Sequence, residues 1–197
     1  MKEKLFGKTL TELQAVTSEL GLPKFTAKQI ADWLYKKKAG EFEMMTNLSK
    51  KARALLAEKY DIGLHTPVSV QESKDGTKKY LFKTPGGNFI ESAYIPETKR
   101  KTLCVSSQAG CKMNCTFCAT GKQGFQENLS SGEILNQIVS IPESDELTNL
   151  VFMGMGEPLD NLDEVLKSLE ILTAEWGFRW SHRKITVSTI GILPALK

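Results

Sequence analysis

The sequence predicts an α/β protein in which a small three-helix segment and antiparallel hairpins lead into parallel βα units. Three observations predict it. Apolar residues recur at helical spacing over residues 1–63. Alternating β-rich runs broken by Asp-Gly and Gly-Gly follow over 66–106. From 101 onward strand and helix patterns alternate, the signature of parallel βα units. The domains expected are a helical segment at 1–65, an antiparallel β linker at 66–100 and βα units over 101–197.

The elements follow in order. Thr9-Leu10-Thr11-Glu12 has the form of a capping box before Leu13, Val16 and Leu20, and Gly21 with Pro23 stops that helix. Thr26-Ala27-Lys28-Gln29 repeats the device before Ile30, Trp33 and Leu34. Lys36-Lys37-Lys38 suits a helix C-terminus, where cations meet the negative end of the dipole. Asn47 or Ser49 opens a third helix through Leu55, Leu56 and Tyr60, closed by Gly63. Val68-Ser69-Val70, Lys79-Tyr80-Leu81-Phe82 and Phe89 to Ile95 form an antiparallel meander. Lys101 to Ser106, Asn149 to Met153 and Lys184 to Ser188 are strands. Ser131 to Ile141 is a helix, and Asn161 caps another through Leu172.

An eight-unit barrel takes about 250 residues, so 101–197 holds about three units. The chain stops at Leu193-Pro194-Ala195-Leu196-Lys197, where a third helix should begin. A three-stranded parallel arc leaves an apolar edge strand unpaired. The expectation is a fragment of a longer protein; the alternative is a half-barrel that oligomerises.

Composition excludes several classes. Hydrophobic residues are 41% and charged residues 25%, an ordinary globular balance. No run approaches the roughly 18 apolar residues of a membrane span. Met1 to Gly7 leads into no apolar signal region. The expected compartment is the cytoplasm, where clustered cysteines bind metal or do chemistry more often than they form disulfides. Residues 1–100 carry 18 Lys and Arg against 12 Asp and Glu, and residues 101–197 carry 8 against 11. A basic front half suits an anionic partner, although charge alone better describes a solvated lysine-rich face.

All four cysteines lie between 104 and 118, and three share the segment Cys111-Lys112-Met113-Asn114-Cys115-Thr116-Phe117-Cys118. Two metals fit such a loop. Structural zinc wants four ligands, which Cys104 with Cys111, Cys115 and Cys118 would supply at a poor spacing. An iron–sulfur cube is normally held by four thiolates; with three, one iron keeps an open site for a substrate or cofactor. The bland alternative is three small buried hydrophobes.

C-x3-C-x2-C at the end of the first βα strand, with Phe117 before the third cysteine, resembles the radical S-adenosylmethionine (SAM) superfamily. Further segments narrow the resemblance. These are Leu103 to Gly110, Phe152-Met153-Gly154-Met155-Gly156-Glu157-Pro158-Leu159, Ser188-Thr189-Ile190-Gly191 and Glu91-Ser92-Ala93-Tyr94-Ile95-Pro96-Glu97. Together they closely resemble the dual-specificity ribosomal and transfer RNA adenine-C2 methyltransferases, over the whole chain and about the first half of a family member.

The resemblance implies a partial radical SAM (βα) barrel, with about three of six units present. It implies that Cys111, Cys115 and Cys118 ligate a 4Fe-4S cluster whose fourth iron is chelated by S-adenosylmethionine. Gly156, Glu157 and Ser188 match SAM contacts, and the Glu157 carboxylate is placed to accept from the SAM ammonium group. Glu91 matches a proton acceptor and Cys104 a resolving cysteine. Glu127 is acidic where the family's pattern favours a basic or small residue.

Carbon 2 of adenine is not nucleophilic, so polar methyl transfer does not reach it. The resemblance implies a methyl-cysteine and radical route, with a covalent RNA adduct released through a disulfide to Cys104. The methyl-carrying cysteine should lie near the far end of a family member, and none follows Cys118 here. The chain alone is therefore expected to bind a cluster without turning over. Implied partners are 23S rRNA, tRNA and a flavodoxin-type electron donor, for a full-length monomer.

A sibling function, methylation of adenine C8, and a non-catalytic metal-stapled RNA-binding module are the alternatives. Single residues have plain roles open to them too. Cys104 suits a buried strand thiol, Glu91 a solvated carboxylate, Ser188 a turn cap, and Met153 and Met155 a core. Trp176, Phe178, Arg179, Trp180, His182 and Arg183 suit base stacking or loop packing. Trp33, Tyr35, Lys36, Lys37, Lys38, Lys50, Lys51 and Arg53 suggest a grip on RNA phosphates.

Overall fold

The computed structural model describes residues 2–193. The expected third helix after Leu193 therefore lies outside the described residues. The chain divides into two compact units. One comprises Met1–Leu64 and Lys167–Trp180, and the other His65–Leu166 and Ser181–Lys197.

In the first unit, β1 (Glu3–Lys4) pairs in parallel with β2 (Tyr60–Asp61). Between them come α1 (Leu10–Glu19), α2 (Thr26–Ala31) and α3 (Lys50–Lys59). The Thr9 capping box forms as the spacing predicts: Thr9 N–H donates to Glu12 Oε2 at 2.6 Å, and Glu12 N–H to Thr9 Oγ1 at 3.3 Å. Ser49 caps α3 by accepting from Ala52 N–H at 3.1 Å.

The second box does not form. Thr26 N–H donates to Pro23 O, so the chain enters the helix one residue early. Phe25 becomes the N-cap without a side-chain bond, and Thr26 is buried. The helix then widens into π turns over Asp32–Lys36. These turns carry Tyr35 into the core, where its ring meets Phe6, Trp176 and Phe178 at centroid distances of 5.5, 5.9 and 5.5 Å. Its hydroxyl donates to Lys8 O, and burial pushes the phenol far above its ordinary range. Tyr35 is therefore a core residue and not part of an RNA-facing patch. For Trp176 and Phe178, ring packing is likewise what the structure shows.

The second unit is built on a six-stranded sheet. Its strands are β3 (Ser69–Glu72), β4 (Lys78–Lys83), β5 (Phe89–Pro96), β6 (Lys101–Cys104), β9 (Asn149–Phe152) and β10 (Ile185–Val187), in the order β10-β9-β6-β5-β4-β3. From β3 to β6 neighbours run antiparallel, and β6, β9 and β10 run parallel. The meander thus continues the βα sheet instead of standing apart from it. Beside the sheet, β7 (Gln108–Ala109) pairs antiparallel with β8 (Glu127–Asn128), and α4 (Ala119–Lys122) lies between them in the chain.

Two helices make the parallel crossovers. α5 (Ser131–Val139) joins the β6 and β9 segments, opened by a Ser130–Glu133 capping box. α6 (Leu162–Thr173) precedes β10 and is divided between the two units at 166/167. Asn161 does not act as the expected cap. Its amide instead donates to Ser107 O and Leu129 O, each at 2.8 Å.

No helix among the described residues is long and apolar enough to cross a membrane. Leu103, Leu150, Phe152, Ile134 and Leu135 are almost fully buried and form the centre of this unit's core. At its margin Glu143 is buried, accepting from Lys78 Nζ at 2.8 Å and from the Tyr80 hydroxyl at 2.6 Å. Burial opposes the Glu143 charge, but these two donors outweigh it and hold the carboxyl below its ordinary value.

A depressed carboxyl stabilises the fold above its unfolded pKa of about 4.3, and that stability is lost as pH falls through the lower folded value. Glu143→Ala should cost about 1–3 kcal/mol at neutral pH, since it strands two donors. Urea melts across pH should show the gap from the unsubstituted chain closing in acid.

Candidate active site

Register sets which side chains share a face of the sheet. Lys79 stands opposite Ala93, Ala93 opposite Cys104, Cys104 opposite Val151, and Val151 opposite Thr186. Side chains alternate along a strand, so Glu91 joins Ala93 and Cys104 on this face. The residues between them, Ser92, Tyr94 and Leu103, are buried on the other face. Glu91, Ala93, Cys104 and Val151 are half-buried. The two predicted catalytic residues thus project from neighbouring strands into the same open side.

Glu91 pairs with Lys79 at 3.0 Å. A cavity of about 400 Å³ beside it is lined by Leu81, Phe89, Glu91, Thr120, Gln123 and Met155, a volume within the usual range for small-molecule sites. Met155 thus faces a cavity, and Met153 is exposed rather than core.

The cysteine loop is closed by the β7–β8 ribbon. Cys111 N–H donates to Gly124 O at 3.2 Å and Cys118 N–H to Cys115 O at 3.0 Å. Gly110 has φ +72°, and a Cβ there would lie 1.8 Å from Gly124 O. Cys111 is buried, while Cys115 and Cys118 are half-buried.

Hydrogen bonds from the Gly121 backbone, and then from Thr120, draw the Cys118 thiol below its ordinary pKa, favouring the thiolate that binds metal. Burial pushes Cys104 the other way and keeps it a thiol, only partly offset by the Met153 backbone. Three clustered thiols with one biased to thiolate fit an iron–sulfur cluster. Among the described residues no three His, Cys, Asp or Glu side chains converge on one ion.

The turn after β9 is braced from beneath. Met155 N–H donates to Ser106 Oγ at 2.9 Å, and that hydroxyl donates to Glu91 O at 2.6 Å. Gln137 pairs with both backbone groups of Ser106, at 2.9 Å each. Gly156 has φ +96° and packs against Gln108. Glu157 is buried. Its carboxylate accepts from Leu159 N–H at 3.0 Å, Ile190 N–H at 3.1 Å and the Thr189 hydroxyl. A carboxylate has about four acceptor sites, so these donors leave one for a ligand. Ser188 is exposed at the end of β10, beside Thr189.

Glu127, the acidic departure in the sequence, accepts from the Thr84 hydroxyl and lies against Gly86, bracing the β4–β5 turn. In the helical unit Arg53 donates to Glu43 O at 2.8 Å, and Lys37 stands 3.9 Å over the Trp33 ring. Lys50 and Lys51 are exposed. Sequence reasoning missed Ser106, Gln108, Gln137 and Asn161 as structural keys. Ser106 and Gln108 lie in a polar run just after a strand, Gln137 within a helix and Asn161 just before one, and polarity does not announce burial.

Comparison with known proteins gives two family matches. Residues 3–62 match the family described as ribosomal RNA large subunit methyltransferase N-terminal domain, and residues 105–197 match the radical SAM superfamily. The chain is 61% identical over 196 residues to a probable dual-specificity RNA methyltransferase RlmN of Phocaeicola vulgatus, covering all of this chain and 56% of that protein. It is 48% identical over 188 residues to the dual-specificity RNA methyltransferase RlmN of Geotalea uraniireducens, covering 95% of this chain and 55% of the relative. A crystal structure of a radical SAM methyltransferase from Sphaerobacter thermophilus superposes with a TM-score of 0.89 at 40% identity. It covers 98% of this chain and 58% of that one. The chain spans little more than half the length of the curated relatives it matches.

Gly110 and Gly124 share φ +72°, but a Cβ meets backbone only at Gly110. Gly124→Ala should therefore cost about 1–2 kcal/mol, the left-handed penalty alone. Gly110→Ala should cost more and also lower the iron retained after reconstitution. Denaturant midpoints and iron assays on the pair separate strain from collision.

Proposed function

We propose that this chain, which belongs to the RlmN family of radical SAM methyltransferases, carries the cluster-binding and proton-accepting part of a site that methylates carbon 2 of adenine in 23S rRNA and tRNA. The observation that carries this reading is the shared open face of Glu91 and Cys104, on strands that lead to the cysteine loop.

In this reading Cys111, Cys115 and Cys118 hold a 4Fe-4S cluster, and Gly156, Glu157 and Ser188 contact S-adenosylmethionine. When bound, the cluster and SAM supply one-electron reducing power and the methyl group. The chain's own residues do the rest. The cavity beside Glu91 receives the adenine. The Glu91 carboxylate, oriented by Lys79, accepts the proton lost from carbon 2. Cys104, kept protonated by burial, gives up its proton and attacks the sulfur of a cysteine thioether that carries the RNA. The S–S bond forms as that C–S bond breaks, and its electron pair goes to the new methyl carbon, which takes up a proton. The thioether cysteine is not among the four cysteines of this sequence. Lys50 and Lys51, with Lys36 to Lys38, attract RNA phosphates. A flavodoxin-type protein supplies electrons in the cytoplasm.

Anaerobic reconstitution with iron and sulfide should give a broad visible absorbance that SAM perturbs. Serine at Cys111, Cys115 or Cys118 should abolish it, and Cys104→Ser should leave it intact. A colourless, zinc-loaded protein would overturn the reading.

RNA affinity should fall as salt rises. Lys50→Ala with Lys51→Ala should flatten the slope of log affinity against log salt by about 0.7–0.9 for each phosphate no longer neutralised. An unchanged slope in filter-binding titrations removes these lysines from the RNA-binding surface.

A further inference from the structure

Gln108 is fully buried, and the functional reading gives it no role. Its side chain makes three bonds. Nε2 donates to Asp160 Oδ2 at 2.7 Å and to Asn128 Oδ1 at 2.8 Å, while Oε1 accepts from Glu157 N–H at 2.9 Å. Both donors and the carbonyl are thus engaged.

Turned over, the amide would set its NH2 against the Glu157 N–H and its oxygen against the Asp160 carboxylate. An ionised carboxylate only accepts, so Asp160 dictates which way Gln108 points. The backbone of Gly156 rests on the same side chain, since a Cβ there would lie 2.5 Å from Gln108 Cβ. On its other side Asp160 meets Lys112, with Nζ 2.9 Å from Oδ2 and 3.2 Å from Oδ1. Lys112 follows Cys111 directly and also stands 4.4 Å over the Phe125 ring. Burial disfavours the Asp160 charge, yet Lys112 and Gln108 outweigh it and hold the carboxyl low.

We propose that Asp160, acting through Gln108, is a positioning residue for the Gly156–Glu157 turn, and that Lys112 couples this turn to the cysteine loop. The role rests on the reading of Gly156 and Glu157 as SAM contacts. The chain Lys112–Asp160–Gln108–Glu157 fixes the spacing between the loop that holds the cluster and the turn that holds SAM. Gln108 is fully buried, so stranding any of its polar atoms is costly. The side chains of Asp160 and Gln108 and the Glu157 amide therefore settle as one arrangement and not independently.

The test uses Asp160→Ala, with Gln108→Leu as a second, more drastic variant. Hydrogen exchange at the Glu157 amide, followed by NMR without any cluster, should speed up by roughly tenfold or more in Asp160→Ala, the loss of one charge-assisted bond. In reconstituted protein, SAM affinity read from the visible absorbance should weaken by a similar factor with iron content unchanged, while the melting temperature falls by no more than the stranding of one buried Gln108 N–H accounts for. Lys112→Met should weaken SAM affinity less, and Lys112→Arg should restore it.

Unaltered Glu157 exchange with unaltered SAM affinity in Asp160→Ala overturns the proposal. So does a loss of iron or melting temperature that accounts for the whole effect, since that is a merely structural role. If SAM does not perturb the unsubstituted protein, the assignment of Gly156 and Glu157 falls first, and this role with it.

Discussion

The double pairing of β6 is the constraint on which the site depends. This short strand bonds antiparallel to β5 on one edge and parallel to β9 on the other. Side chains alternate with period two, so a slip of one residue moves a whole set from one face to the other. Tyr94, Leu103, Leu150 and Phe152 pin the register by burial. Glu91 and Cys104 occupy the open face because these apolar neighbours take the closed one.

Past the end of β6 the sheet gives way to buried polar contacts. Most polar groups in an interior are paired, and the Ser106 and Gln108 side chains are bonded at every polar atom. Gln137 fixes the backbone of Ser106, whose hydroxyl links the Glu91 carbonyl to the Met155 amide. Glu157 then spans from the turn after β9 to the turn after β10. Such a network positions loops more tightly than loop sequence alone, because no member can move without stranding another.

The same scaffold pushes two cysteines in opposite directions. Amide donors draw Cys118 toward thiolate, and burial holds Cys104 as thiol. Metal ligation, the role proposed for Cys118, requires deprotonation in advance. Disulfide formation, the role proposed for Cys104, is served by a sulfur that stays a thiol until it reacts.

Much of this was legible along the chain. The Thr9 and Ser49 caps, the Asp-Gly and Gly-Gly turns, the three parallel strands and the cysteine spacing are local signals, written within a few residues of where they act. Thr26 misled because Pro23 started the helix early, a competition between two local turns. Tyr35 looked like a surface aromatic beside lysines until ring packing with Phe6, Trp176 and Phe178 buried it. Asn161 looked like a cap but holds two distant carbonyls. The sequence alone determined the main helices and the strands of the large sheet, the cysteine loop and the family resemblance, because periodicity and spacing are properties of neighbours. Only the tertiary structure decided that Glu91 and Cys104 share a face, that Glu157 is largely occupied by protein donors, and that Gln108 joins Asp160 to the Gly156 turn. Those facts come from contacts between residues tens of positions apart, and from burial, which composition does not encode.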